Sequence, residues 1–179
     1  MEYNELNGAK RPSMTPLASL WGLYAGLGLC FISVLQNFII KSSHSGLNFS
    51  VGMINFGIMV LILMAGMKAY RNTSPNLPFS YGAAFKFGIY QTFFASIIIT
   101  AFFALTIFVL KPNFIELLED QSIRELQRMG ISDELIEQSM SMTKIFMTPS
   151  WLIGSTLFGS WLTGGIASLV AAAIAKKRQ

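Results

Sequence analysis

With 179 residues the chain has room for one domain, and only 12% of its residues are charged while 53% are apolar. About a quarter of the residues of a soluble domain are charged, so this composition excludes an ordinary water-facing surface. The net charge of +4 does not indicate nucleic-acid binding, because the cations are placed at the ends of apolar segments. The sequence therefore predicts a membrane protein that binds the lipid bilayer and no nucleic acid.

Four apolar runs follow one another along the chain, and none of them contains Asp, Glu, Lys or Arg. They are residues 17–40, 47–67, 87–110 and 150–175. A helix rises about 1.5 Å per residue, so each run is long enough to cross a hydrocarbon core about 30 Å thick. Backbone groups in lipid must be hydrogen-bonded within the segment, which favours helices. We predict an all-α integral membrane protein with four transmembrane helices.

The first sixteen residues are polar and are predicted to form a tail, with residues 17–179 as a single membrane domain. In the first helix, Gly22 and Gly26 lie one turn apart on one face, so a neighbouring helix can approach closely. The fourth run is rich in Gly, Ala and Ser, which also predicts close packing.

The connection between the second and third helices contains Pro75 and Pro78, which favour turns. Ser80 follows them and is predicted to cap the third helix. Lys111 precedes Pro112 and is therefore predicted to leave the helical conformation, which ends the third crossing.

Residues 111–149 form a polar segment that holds seven of the nine acids of the chain. Asn113, with Glu116 three residues later, predicts a capping box and a helix to about Met129. Gly130 is a typical stop signal, and Ser132 is a typical start for the next helix. The segment therefore predicts a helical hairpin between the third and fourth transmembrane helices.

The second helix of this hairpin, predicted to run over residues 133–147, has one apolar side and one polar side. An apolar face outside lipid must be covered, so we expect it to bind a protein partner, a second copy of the chain, or its own membrane domain. The residues of this predicted partner face are Leu135, Ile136, Met140, Phe146 and Met147.

The distribution of cations predicts the topology. Four crossings place both termini and the loop 68–86 on one side, and this side has eight cations. The opposite side has five, together with the seven acids of residues 111–149. Because cations are retained in the cytoplasm, both termini are predicted to be cytoplasmic and the hairpin extracytoplasmic.

Polar side chains within the crossings are the remaining candidates for a site. Those expected in the outer half form a predicted polar pocket, although hydrogen bonds between helices are the favoured explanation for them. No catalytic set, metal-ligand spacing or phosphate loop occurs in the sequence, so we expect no enzyme activity, no cofactor and no metal. The residues of the predicted polar pocket are Gln36, Asn37, Asn55, Ser155 and Thr156.

Several short motifs carry a resemblance to a known family. Residues 69–71 (Ala-Tyr-Arg) close the second helix, and residues 79–86 (Phe-Ser-Tyr-Gly-Ala-Ala-Phe-Lys) open the third. Two further motifs, residues 111–114 and 130–134, lie in the predicted hairpin. In their order and spacing they resemble a bacterial membrane-protein family of unknown function, the domain-of-unknown-function family numbered 4199. The resemblance implies a four-helix protein of the bacterial inner membrane and supplies no catalytic or binding residues.

Two functions are consistent with these observations. The first is a non-enzymatic accessory protein that binds a partner through the apolar side of its hairpin. The second is a small transporter or channel subunit built around the predicted polar pocket. The absence of charged residues from all four apolar runs argues against proton-coupled transport.

Overall fold

The computed structural model describes residues 12–39, 45–75 and 77–177. Within these ranges the chain is all-helical, with six α-helices and no β-strand. A π-helical segment, Thr106–Leu110, follows the third helix directly. The helices are α1 (Met14–Ile39), α2 (Ser45–Asn72), α3 (Tyr81–Leu105), α4 (Phe114–Arg128), α5 (Asp133–Thr143) and α6 (Pro149–Lys177).

Among the described residues, four helices are long and apolar enough to cross a membrane. These spans are Met14–Leu35, Gly52–Asn72, Tyr81–Leu110 and Pro149–Ala175. They confirm the four predicted apolar helices and suggest a multi-pass membrane protein. The first helix begins at Met14, three residues earlier than predicted. Pro16 does not prevent this, since it lies in the first turn, where proline is tolerated. Most of the predicted tail, residues 1–11, lies outside the described residues.

The chain divides into two compact units, and the predicted single membrane domain stays a prediction. The first unit contains the described residues up to Ile99 and those from Gly159 onwards, and the second unit is Thr100–Phe158. Both α3 and α6 contribute residues to each unit.

In the first unit, α1 approaches α3 through its two predicted glycines. A Cβ atom added to Gly22 would lie 2.7 Å from the carbonyl oxygen of Gln91. One added to Gly26 would lie 2.6 Å from the Cβ atom of Ile98. Neither distance leaves room for a methyl group, so the predicted packing role of these glycines agrees with the structure.

Glycines on α2 and α6 also meet α3. A Cβ atom on Gly66 would collide with the side-chain oxygen of Gln91, and one on Gly164 would lie 2.7 Å from the Cβ atom of Thr92. Each of α1, α2 and α6 therefore places at least one glycine against α3. Only some of the small residues of α6 lie at a close helix contact. Ala167 is fully buried, whereas Gly154, in the second unit, has no described atom within 4 Å of its Cβ position.

Tyr70, near the end of α2, joins three parts of the first unit. Its buried ring stacks on Phe87 of α3 with ring centroids 5.0 Å apart, and it meets Phe79 edge-on at 6.2 Å. Its hydroxyl donates a hydrogen bond of 3.1 Å to the carbonyl oxygen of Pro12. These contacts hold the connection between α2 and α3 against the first unit. Tyr70 belongs to the family motif at residues 69–71, and Phe79 belongs to the one at residues 79–86.

The helix ends in this connection follow local chemistry. The hydroxyl of Ser80 accepts a hydrogen bond of 3.2 Å from the backbone N–H of Ala83, as the predicted cap requires. At the other end of α3, the backbone N–H of Lys111 bonds the carbonyl oxygen of Thr106 at 2.8 Å, which closes a π-helical turn. Lys111 has φ −140°, because Pro112 disfavours the helical conformation before it.

In the second unit, α4 and α5 form the predicted hairpin. Gly130, with φ +76°, donates its N–H to the carbonyl oxygen of Gln127 at 3.0 Å. The N–H of Ile131 reaches the carbonyl oxygen of Leu126 at 3.2 Å, and the side chains of these two residues belong to the same apolar cluster. This pair of bonds is a Schellman motif, which ends α4 and turns the chain into α5.

Two details of the hairpin differ from the sequence prediction. Asn113 and Ser132 precede α4 and α5 as expected, but in the described hairpin neither side chain makes a capping hydrogen bond. The helix α5 ends at Thr143 instead of continuing to Met147. Residues 144–147 form tight turns instead, because the chain must enter α6 at Pro149.

We expect Gly22→Ala to destabilise the protein by about 1–3 kcal/mol, because its methyl group would overlap the Gln91 carbonyl oxygen, which cannot move aside. Gly28→Ala is the matched control on the same helix, since no described atom lies within 4 Å of its Cβ position. It should be neutral or up to about 1 kcal/mol more stable. Thermal unfolding in detergent measures both, and equal melting temperatures for the two variants would contradict the packing at Gly22.

We expect Gly130→Ala to cost about 1–2 kcal/mol, because φ +76° places a Cβ atom too close to the following carbonyl oxygen. Ser132→Ala should change stability by less than about 0.5 kcal/mol, since this exposed side chain forms no cap in the described hairpin. Hydrogen exchange of the α4 and α5 amides, read by mass spectrometry, checks both. Faster exchange in Ser132→Ala than in Gly130→Ala would be the contrary result.

Candidate functional site

The predicted polar pocket is only partly covered by the structure. The side chains of Gln36 and Asn37 lie outside the described residues, and Asn55 is half-buried in the first unit. In the second unit Thr156 is half-buried, and the exposed Ser155 donates its hydroxyl to a carbonyl oxygen of its own helix, that of Leu152, at 3.1 Å. The pocket, and the transporter or channel function based on it, stay predictions.

The first unit buries other polar side chains, which were not among the predicted pocket residues. Gln91 of α3 is fully buried, and its side-chain Nε2 donates to the carbonyl oxygen of Ile62 on α2 at 3.3 Å. Its Oε1 atom has no hydrogen-bond partner among the described residues. Glutamine within an apolar run was a visible signal, but only the packing shows which side of α3 it occupies.

Two other buried hydroxyl groups of the first unit bond to their own helices. Thr92 donates to the carbonyl oxygen of Ile89 at 3.0 Å, and Ser168 donates to that of Gly164 at 2.8 Å. Such bonds satisfy a buried hydroxyl without a partner on another helix. Of these three buried side chains, Gln91 is the one with a described hydrogen bond to another helix.

The predicted partner face divides into covered and exposed residues. Ile136, Met140 and Met147 are buried in a cluster within the hairpin itself, so α4 covers part of the apolar side of α5. Leu135 is 54% exposed and Phe146 is 52% exposed. The residues that pack on the buried cluster are Ile115, Ile123, Leu126 and Ile131.

Four large apolar side chains remain exposed along α5 and the turn that follows it. Beside Leu135 and Phe146, Met142 is 65% exposed and Ile145 is 70% exposed. Leu135 and Met142 lie seven residues apart, which places them on the same side of the helix. We name Leu135, Met142, Ile145 and Phe146 the hairpin patch. Its last residue, Phe146, meets the ring of Trp151 at the start of α6, with centroids 5.3 Å apart.

The hairpin patch belongs to a segment with a net negative charge. Residues 111–149 contain seven carboxylates and four Lys or Arg side chains. Glu134 and Glu137, on either side of Leu135 in the chain, are exposed. Lys144 forms an ion pair with Glu119 of α4, with 3.8 Å between Nζ and Oε2. Among the described residues, no group of three or more His, Cys, Asp or Glu side chains is placed to hold a metal ion.

Comparisons with known proteins identify the family of the chain. No curated protein and no solved structure matches the chain. One family model matches residues 20–177, which include most of the first apolar helix, the other three and the hairpin. The chain thus belongs to the family described as protein of unknown function (DUF4199), as its motifs indicated.

Proposed function

We propose that the protein is a non-enzymatic accessory protein of a bacterial inner membrane, and that it binds a protein partner through the hairpin patch. The observation that carries this proposal is the exposure of Leu135, Met142, Ile145 and Phe146, each by more than half, on a segment rich in acids. Exposed apolar patches surrounded by polar residues are typical of interaction sites.

The charge around the patch favours a particular kind of partner. Seven carboxylates on residues 111–149, against four cations, give the hairpin a negative field. A partner helix with an apolar stripe and flanking Lys or Arg residues would match both the patch and this field. Its apolar side chains would replace water on Leu135 and Met142, while its cations would lie near Glu134 and Glu137.

The charge distribution also supports an orientation in the membrane. The two chain ends and residues 68–86, around the α2–α3 connection, hold eight cations, and the remaining five lie in the segments predicted on the opposite side, with the seven acids of the hairpin. We infer that both termini are cytoplasmic and that the hairpin is extracytoplasmic.

Photo-crosslinking tests the patch. A photoreactive amino acid at Leu135 or Met142 should form a discrete adduct with another protein in intact cells, because both side chains are exposed. The matched controls are Ile136 and Met140, which are buried in the hairpin and should give adducts only within the chain. Adducts from the exposed positions that contain only a second copy would assign the patch to self-association instead.

Charge substitutions separate binding from folding. Leu135→Glu should abolish the adduct formed from Met142 and leave the melting temperature nearly unchanged, because the side chain at 135 is exposed. Ile136→Glu should lower the melting temperature, since an unpaired carboxylate in the hairpin core costs several kcal/mol, on the order of 3–5. A Leu135→Glu variant that still forms the adduct would contradict the proposed surface.

Cysteine labelling tests the orientation. In a Cys30→Ala background, an impermeant thiol reagent applied to spheroplasts should label Ser139→Cys on the hairpin and not Ser13→Cys near α1. Both positions are exposed, so access depends only on the side of the membrane. Labelling of Ser13→Cys with protection of Ser139→Cys would reverse the topology.

A further inference from the structure

A groove at one end of the first unit combines cations with an apolar wall. It has a volume of about 380 Å³ and lies beside the last turns of α2 and α6. Phe79, whose ring meets that of Tyr70 edge-on, is one of its lining residues. The α2 residues that line it include Leu61, Met64, Ala65, Lys68 and Arg71.

The α2 residues of the groove form one continuous stripe. Leu61, Met64, Lys68 and Arg71 follow one another at intervals of three or four positions, so they lie on one side of the helix. The stripe is apolar at Leu61 and Met64, and it becomes cationic at Lys68 and Arg71. From Leu61 to Lys68 the helix rises about 10 Å, so a molecule with an anionic end and an apolar chain fits its length.

The two cations have no acidic neighbour among the residues of this unit that the structure describes. No Asp or Glu occurs between Glu5 and Glu116, nor after Glu137. The described residues of the first unit therefore contain no carboxylate that could neutralise Lys68 or Arg71. Lys68 is exposed and Arg71 is half-buried, so both are accessible to an anion.

The position of the two cations along the apolar span of α2 indicates what kind of molecule the groove binds. The apolar span of α2 runs from Gly52 to Asn72, so Lys68 and Arg71 lie in its last turn or two. Cations at this position meet lipid phosphates, while residues two turns further in meet acyl chains. We propose that the groove binds an anionic phospholipid, with its phosphate between Lys68 and Arg71 and an acyl chain along Met64 and Leu61. This inference does not depend on the hairpin patch.

Lipid titration tests the cationic end. Protein purified in a neutral detergent is titrated with phosphatidylglycerol, or with phosphatidylcholine of the same chains, and bound lipid is counted by native mass spectrometry. Lys68→Gln and Arg71→Gln should each weaken phosphatidylglycerol binding by about 5-fold, as expected for the loss of one cation near a lipid surface. Lys86→Gln is the matched control, an exposed cation outside the groove, and should bind as the parent does.

Equal weakening by Lys86→Gln and Lys68→Gln would overturn the proposal, because it would indicate a diffuse surface field. Equal binding of phosphatidylcholine and phosphatidylglycerol by the parent would also overturn it. Lys68→Arg keeps the cation and should bind as the parent does. If Lys68→Arg binds phosphatidylglycerol as weakly as Lys68→Gln does, the proposed recognition of the lipid phosphate by the charge at position 68 is wrong.

A second arm distinguishes a lipid from free phosphate. Ala65→Phe should fill the apolar part of the groove and weaken phosphatidylglycerol binding while Lys68 and Arg71 remain in place. Inorganic phosphate at millimolar concentration should not displace the lipid from the parent protein, because it cannot contact Leu61 or Met64. Displacement by phosphate, together with unchanged lipid binding in Ala65→Phe, would assign the groove to a soluble phosphate ligand and overturn the lipid site.

Discussion

The first unit depends on the close approach of its helices to α3. In lipid there is little hydrophobic drive between apolar helices, so they associate through close packing and hydrogen bonds. The structure achieves this with glycines on every neighbour of α3, at Gly22 and Gly26 of α1, Gly66 of α2 and Gly164 of α6. Larger residues at these positions would separate the backbones and remove the contacts that replace hydrophobic burial.

The same close approach determines what the polar side chains do. The side chain of Gln91 fills the space above Gly66 and bonds the carbonyl oxygen of Ile62, so this polar contact exists only because residue 66 has no side chain. The hydroxyls of Thr92 and Ser168 return to their own helices. These buried polar side chains donate their hydrogen bonds to helix backbones. A polar residue within an apolar run is therefore weak evidence for a pocket.

The hairpin follows different physics, because it is rich in charged residues and forms its own small core. Ile136, Met140 and Met147 are buried against α4 by the hydrophobic effect, and Gly130 provides the turn that brings the two helices together. Two short helices cover only one side of each other. The adjacent side of α5, with Leu135 and Met142, consequently stays exposed and is the surface on which the proposed function depends.

Local chemistry in the sequence determined the number of helices and most of their ends. Charge-free length predicts the four apolar helices, Ser80 predicts its cap, Gly130 predicts the end of α4, and Pro112 predicts the end of the third crossing. Each of these features depends on a few neighbouring residues, so the chain carries the information without its tertiary contacts.

Only the tertiary structure decided which surfaces meet. The sequence identified an apolar side on α5, but the packing against α4 separates the buried Ile136 from the exposed Leu135. It also places Gln91 in the interior and brings Phe79 beside Lys68 and Arg71 in one groove. These outcomes depend on contacts between residues far apart in the chain, and helical periodicity alone does not specify which neighbour each side of a helix will face.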